Sequence, residues 1–228
     1  MTHIYFFRVP EKLIEKHKSG QIGGEKTDSA RADFAVSEVA YAVLRKLLAE
    51  LFSVSSDSIE IERPINCKPY CKNLNAEFNI SHSKNAVAIG ISSSTIGVDL
   101  ELIRAFPRRV ADKYFSEAER LYISSSKETE EEGGEEEGER RFFELWTMRE
   151  SFVKFTGAGI KGITRDLSFS DGVSLLPQME YGSRLLNLRS YRQEVAQGKE
   201  ESYICSVCSE EGELLEGVEI LPEDFDLL

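Results

Sequence analysis

Asp99 and Glu101 stand two apart in the stretch IGVDLE. In an extended strand that spacing puts both carboxylates on one face and Val98 and Leu100 on the other. Two clustered carboxylates repel unless protons or a cation neutralise them. Magnesium suits such a pair, because it prefers oxygen ligands, usually takes one or two carboxylates, and completes its shell with waters and substrate phosphates. Taken alone, D-x-E is a weak signal, and an exposed polar strand face explains it better.

Glu150 lies in RFFELWTMRESFVKF, one helical turn after Trp146 and one before Lys154, so the three share a stripe. A Glu–Lys pair at this spacing is more often a surface ion pair that contributes about 0.2–0.5 kcal/mol. Beside a metal, the carboxylate can complete the site or act as a base, and the ammonium can steady phosphate charge. Ser81-His82-Ser83 directly follows the strand-like FNI, so its hydroxyls and imidazole project from a strand end, where binding groups often sit. The nucleophile-elbow pattern G-x-S-x-G is absent, which removes the Ser-His-Asp hydrolase reading. Lys68-Pro69 alone reads as a turn with a solvated lysine.

The elements that must position these groups follow from periodicity. HIYFFRV has the character of a strand, and residues 30–52 carry Phe34, Val39, Ala40, Val43, Leu44, Leu47, Leu48 and Leu51 at the spacing of a long one-faced helix. IEIE, FNI and AVAIGIS read as short strands, and IGVDLE opens a second half. There Ser116 and Glu119 form a capping box at the head of one helix, and Phe142, Leu145, Trp146, Arg149, Phe152 and Val153 mark another. RDLSFS, GVSLL, SRLLNLRSYR and YICSVC are predicted as strands. The order predicts two α+β halves, 1–95 and 96–228. Residues 127–141, rich in Glu and Gly, are predicted to be a disordered acidic insertion.

The chain has 228 residues, 41% apolar and 30% charged, which is ordinary globular composition. It lacks an apolar run long enough to span a bilayer and a secretory leader, so the expectation is a cytoplasmic protein with no membrane association. The net charge of −12 resides in 127–141 and 209–228, which carry −5 and −8; the remainder is +1 and does not repel an anionic ligand. Nucleic acid is not an expected partner. Cys205 and Cys208 invite a zinc reading, but residues three apart in a strand face opposite ways, so reduced cysteines are favoured.

The ordered set Lys68-Pro69, FNISHS, IGVDLE, FSEAE and LWTMRESFVK resembles the 4′-phosphopantetheinyl transferases of the Sfp type. The resemblance is close over residues 58–160 and rests on segment order in the flanks. It implies a pair of pseudo-twofold-related α/β halves, of the α+β class, with coenzyme A in the cleft between them. It implies that Asp99, Glu101 and Glu150 hold magnesium, that Lys68, Ser81 and His82 contact coenzyme A phosphates, and that Glu150 and Lys154 serve the chemistry. Lys26 and Arg31 are the candidates for the 3′-phosphate. The implied partner is an apo acyl or peptidyl carrier protein and the implied state a monomer. Two rivals remain: a magnesium-dependent hydrolase of nucleotide pyrophosphates, and a non-catalytic protein that binds coenzyme A or a carrier protein.

Overall fold

The computed structural model describes residues 2–19, 27–65, 67–125, 134–159, 166–195, 201–210 and 219–220. In chain order its first half contains β1 (His3–Arg8), α1 (Glu11–Ser19), α2 (Asp28–Phe52), β2 (Ile61–Glu62), β3 (Tyr70–Cys71), β4 (Glu77–Ser83) and β5 (Ala86–Ser92). The second half contains β6 (Ile96–Leu102), α3 (Arg108–Tyr114), α4 (Glu117–Ser124), α5 (Gly134–Thr156), β7 (Gln178–Tyr181), β8 (Arg184–Val195), β9 (Glu201–Ser209) and β10 (Glu219–Ile220).

The Thr27 side chain accepts from the Ala30 amide and starts α2, and Asp28 adds negative charge to the first turn. The helix ends at Ser53, whose left-handed φ of 52° turns its amide back onto the last carbonyls. Between those caps Val39, Ala40, Val43, Leu44, Leu47 and Leu48 are buried as the spacing anticipated and Val36 joins the stripe, whereas Phe34 is half-buried and Leu51 is exposed.

That stripe packs on the sheet β10-β1-β5-β4. Strand alternation then divides the side chains. Tyr5, Phe7, Val87 and Ile89 face α2, while Ile4, Phe6, Ala86 and Ala88 face the second sheet, β6-β9-β8-β7. The second sheet repeats the arrangement. Val98, Leu100, Tyr203, Cys205 and Val207 meet the first sheet, and Ile204, Cys208, Leu186 and Leu188 pack beneath α5. The layers run α2, sheet, sheet, α5, and β1-β5-β4 in one sheet matches β6-β9-β8 in the other, all antiparallel. The mixed class and two-half plan expected from the sequence are both present. β10 is the exception to a clean division, because it pairs parallel to β1 of the first half.

Several expectations are corrected. Residues 134–141 are the first turns of α5 rather than a disordered insertion, while 126–133 lie outside the described residues. The helix forms there because Glu137 bonds Arg140 and Arg141 one turn on, and Arg141 also donates to the Tyr122 carbonyl and the Ser125 hydroxyl. Those guanidinium groups hold the Glu137 carboxyl down at about 2. RDLSFS and GVSLL are not strands in their described parts. They fold into a tight turn with a single bridge between Ser170 and Leu175, where Asp171 accepts from the Val173 and Ser174 amides and Gly172 takes φ +100°. FNI extends through Ser83, so Ser81-His82-Ser83 is strand rather than the turn beyond it.

Candidate active site

β4 and β6 are each the outer strand of a sheet and do not pair through their backbones. Side chains satisfy the exposed edge of β6 instead. Asn79 Oδ1 accepts from the Val98 amide at 2.8 Å, and Ser83 Oγ accepts from the Leu102 amide at 3.2 Å. Two outward carbonyls are also taken: Lys68 Nζ donates to Ile96 O at 2.9 Å and Lys154 Nζ to Val98 O at 3.0 Å. The junction of the two halves is therefore a polar seam, and the candidate residues line it.

Ser81 Oγ donates to Asp99 Oδ1 at 2.9 Å, and two residues on Ser83 Oγ donates to Glu101 Oε2 at 3.1 Å. The strand period of two on each side produces this matching. Lys154 Nζ closes the first contact, donating to both Ser81 Oγ and Asp99 Oδ1 at 2.8 Å. Asp99 is 6% exposed, and its Oδ2 is buried with no hydrogen-bond partner. Arg104 approaches Glu101 Oε2 at 3.7 Å.

Helix α5 can bring Glu150 and Lys154 here because β6 carries Gly97 on the same face as Asp99 and Glu101. A Cβ at Gly97 would lie 1.9 Å from the Ser151 carbonyl oxygen and 2.5 Å from the Phe155 amide nitrogen. Arg149 sets the roll of the helix. It is 2% exposed, donates to the fully buried Glu119 and to the Leu167 carbonyl, and lies over the rings of Phe115 and Phe169. Glu119 is also the capping-box acceptor for Ser116 N and accepts from Phe169 N at 3.0 Å. Trp146 packs on Tyr114 and Phe142 one turn before Glu150.

Burial raises the Glu150 pKa above the ordinary carboxyl range, and the charges of Asp99 and Glu101 push it further up against the pull of Lys154. Burial also raises Glu101, with Asp99 the next cause. Among the described residues, no three Asp, Glu, His or Cys side chains are gathered closely enough to hold a metal ion by themselves. The site is a partly open set of three carboxylates with the Lys154 ammonium among them.

Of the other predicted residues, Lys68 stands at the start of β6, bonded to Glu77 at 3.3 Å as well as to Ile96 O; desolvation lowers its pKa. His82 lies on the opposite face of β4 from Ser81 and Ser83. Desolvation lowers its pKa and Lys154 adds to the fall, while Asp33 of α2 and Asp99 oppose it. Lys26 lies outside the described residues and Arg31 is on α2. Cys205 belongs to the core between the sheets and Cys208 to the core under α5, which agrees with the opposite-face reading; burial pushes the Cys205 thiol up to about 12. The sequence reading named Ser83 only as part of Ser81-His82-Ser83 and missed Asn79 and Gly97 as site-building residues. Gly97 had a usable signal, since it lies two before Asp99.

A family model described as the 4′-phosphopantetheinyl transferase superfamily matches residues 95–208, which include β6, α5, β8 and β9. The chain is similar to the 4′-phosphopantetheinyl transferase gsp of Aneurinibacillus migulanus, 27% identical over 70% of this chain and 68% of that one. It is similar to psf-1 of Bacillus pumilus, named as the same kind of transferase, at 29% over 78% of this chain and 72% of that one. A 4′-phosphopantetheinyl transferase of Bacillus subtilis aligns at 28% over 95% of both chains. The family model matches half of the chain, including the strand and the helix that carry the three carboxylates, and the chain belongs to the 4′-phosphopantetheinyl transferase superfamily.

Proposed function

We propose that the enzyme transfers the 4′-phosphopantetheine arm of coenzyme A to a serine of an apo acyl or peptidyl carrier protein, releasing adenosine 3′,5′-bisphosphate. The observation that carries this reading is the Lys154 bridge, which ties Asp99 of the second half to Ser81 of the first beside Glu101 and Glu150. A site shared between two halves suits a ligand that lies between them.

Magnesium fits the donor set. Asp99 offers a buried oxygen with no partner, and Glu101 and Glu150 sit where burial and mutual repulsion disfavour their charge. Asp99, Glu101 and Glu150 would hold the ion, which when bound supplies electrostatic stabilisation to the developing phosphate charge.

The carrier serine is a weak nucleophile at neutral pH and needs a base. Glu150 is assigned that proton. Lys154 is assigned to hold negative charge beside Asp99 while its own position is fixed by three acceptors. Lys68, Ser81 and His82 are the proposed contacts to coenzyme A phosphates. The Ser81 hydroxyl is shared with Asp99, so its contact would come through an oxygen already oriented by Lys154.

The enzyme is proposed to work as a monomer in the cytoplasm; no described helix is long and apolar enough to cross a membrane. Incubation with coenzyme A, magnesium and a panel of apo carriers, read by intact mass, tests the whole reading. A phosphopantetheine mass gain on a carrier serine is the expected result. Release of nucleotide without that gain would mean a pyrophosphate hydrolase, and binding without turnover a non-catalytic protein.

A further inference from the structure

The two serine contacts leave the two carboxylates in the same condition. Ser81 and Lys154 occupy Asp99 Oδ1, and Oδ2 has no partner. Ser83 and Arg104 occupy Glu101 Oε2, and no described residue bonds Oε1. Each hydroxyl from the first half thus takes one oxygen of a carboxylate from the second half and leaves the other oxygen for something else.

The Ser83 hydroxyl has little freedom to do otherwise. Ser83 is 8% exposed, and its oxygen accepts the Leu102 amide, which is fixed within β6. With a lone pair committed to that amide, the single proton is left for Glu101. Arg104 approaches the same oxygen from an exposed position, where solvent screens the pair. The neutral, buried hydroxyl is the firmer of the two holds.

We propose that Ser83 is a positioning residue that fixes Glu101 for ligation of a divalent cation through one oxygen, and that this favours a small octahedral ion over calcium. The inference rests on the magnesium reading of the site given above. Calcium takes more ligands and commonly accepts both oxygens of one carboxylate, whereas magnesium demands a near-octahedral shell of single oxygens. A carboxylate with one oxygen already engaged meets the second demand and not the first.

The test is direct binding of Mn²⁺, followed by electron paramagnetic resonance of the free ion, with Ca²⁺ as a competitor, on the full chain and on Ser83→Ala, Ser83→Thr, Asn79→Ala and Glu101→Gln. Ser83→Ala should weaken Mn²⁺ binding by at least about tenfold, the lower end for loss of a group that orients a metal ligand. Ca²⁺ should lose less, so the preference for Mn²⁺ falls. Ser83→Thr keeps the hydroxyl and should restore both. Asn79→Ala removes a contact to the Val98 amide only, and so reports general loosening of the seam.

If Glu101→Gln weakens Mn²⁺ binding and Ser83→Ala leaves affinity and preference unchanged, the inference is overturned and the metal reading stands. Equal losses in Asn79→Ala and Ser83→Ala would also overturn it, since the seam as a whole would then be responsible. If the full chain binds no Mn²⁺, or Glu101→Gln binds it as tightly, the metal reading fails and the inference with it.

Discussion

Gly97 and Ser151 meet so closely that the helix axis of α5 is set by the missing side chain: a Cβ at Gly97 would lie 1.9 Å from the Ser151 carbonyl oxygen. The colliding atom is backbone, so no rotamer change can relieve it. Gly97→Ala must push α5 off β6 and carry Glu150 and Lys154 with it. The expected loss of stability is about 1–3 kcal/mol or more, the cost of overpacking. Urea unfolding measures that loss, and kcat should fall in whatever fraction remains folded. Unchanged stability would mean that the helix approach is looser than the contact implies.

Arg149 and Glu119 form a pair in which both members are buried. Arg149→Met should destabilise by about 3–5 kcal/mol, because it leaves the Glu119 charge without its cation in the interior. The Ser116 and Phe169 amides remain on Glu119 and soften the effect toward the lower figure. Equilibrium unfolding of Arg149→Met and Arg149→Lys checks this. Lysine should recover part of the loss through charge, but not the Leu167 carbonyl contact together with the stacking on Phe115 and Phe169.

Glu150→Gln separates chemistry from binding. With the base removed, kcat should fall by at least about a hundredfold while the KM for coenzyme A moves far less. Lys68→Ala should do the opposite, raising KM with kcat largely kept, as expected when uniform binding is lost. The assay needs saturating magnesium, since a weakened metal site could imitate a lost base. Near-normal kcat in Glu150→Gln would transfer the proton to another group.

The raised carboxyls give a pH dependence of definite sign. Glu101 and Glu150 titrate above their ordinary value of 4.5 in the folded protein, so the fold favours their protonated forms. Their contribution to stability is fully present below 4.5 and is lost as pH rises through the raised values. Above the raised values the ionised cluster therefore strains the fold, and a bound cation should relieve it. Magnesium should raise Tm more at pH 7 than below 4.5, and Glu150→Gln should raise Tm at pH 7 without magnesium. Calorimetric scans at the two pH values decide the matter; equal magnesium effects at both would contradict it.

The parts of this fold that were legible in the sequence are those with a local period. The stripe of α2, the face of α5 and the D-x-E alternation in β6 all translate spacing directly into direction. The seam between β4 and β6 has no such signature, because nothing in FNISHS says which strand its alternate side chains will meet. Short elements such as α3 and β7 escaped for the opposite reason, offering too few turns or alternations to stand out. The start of α5 was obscured by composition. Counting Glu and Gly predicts repulsion, whereas the pairing that settles the matter is between Glu137 and the two arginines just downstream.

The polar seam also bears on how the chain reaches its fold. Its β4–β6 contacts join residues 18 or 19 apart, whereas the backbone partner of β6 is β9, far along the sequence. Closing the short loop costs much less chain entropy than closing the long one. Side-chain contacts between β4 and β6 should thus be formed in the folding transition state, with φ-values at Ser83 above those at Cys208. β6 then presents its other edge, already aligned, to the late-arriving β9. On this account the residues that gather the carboxylates also serve as the template on which the second sheet is laid down.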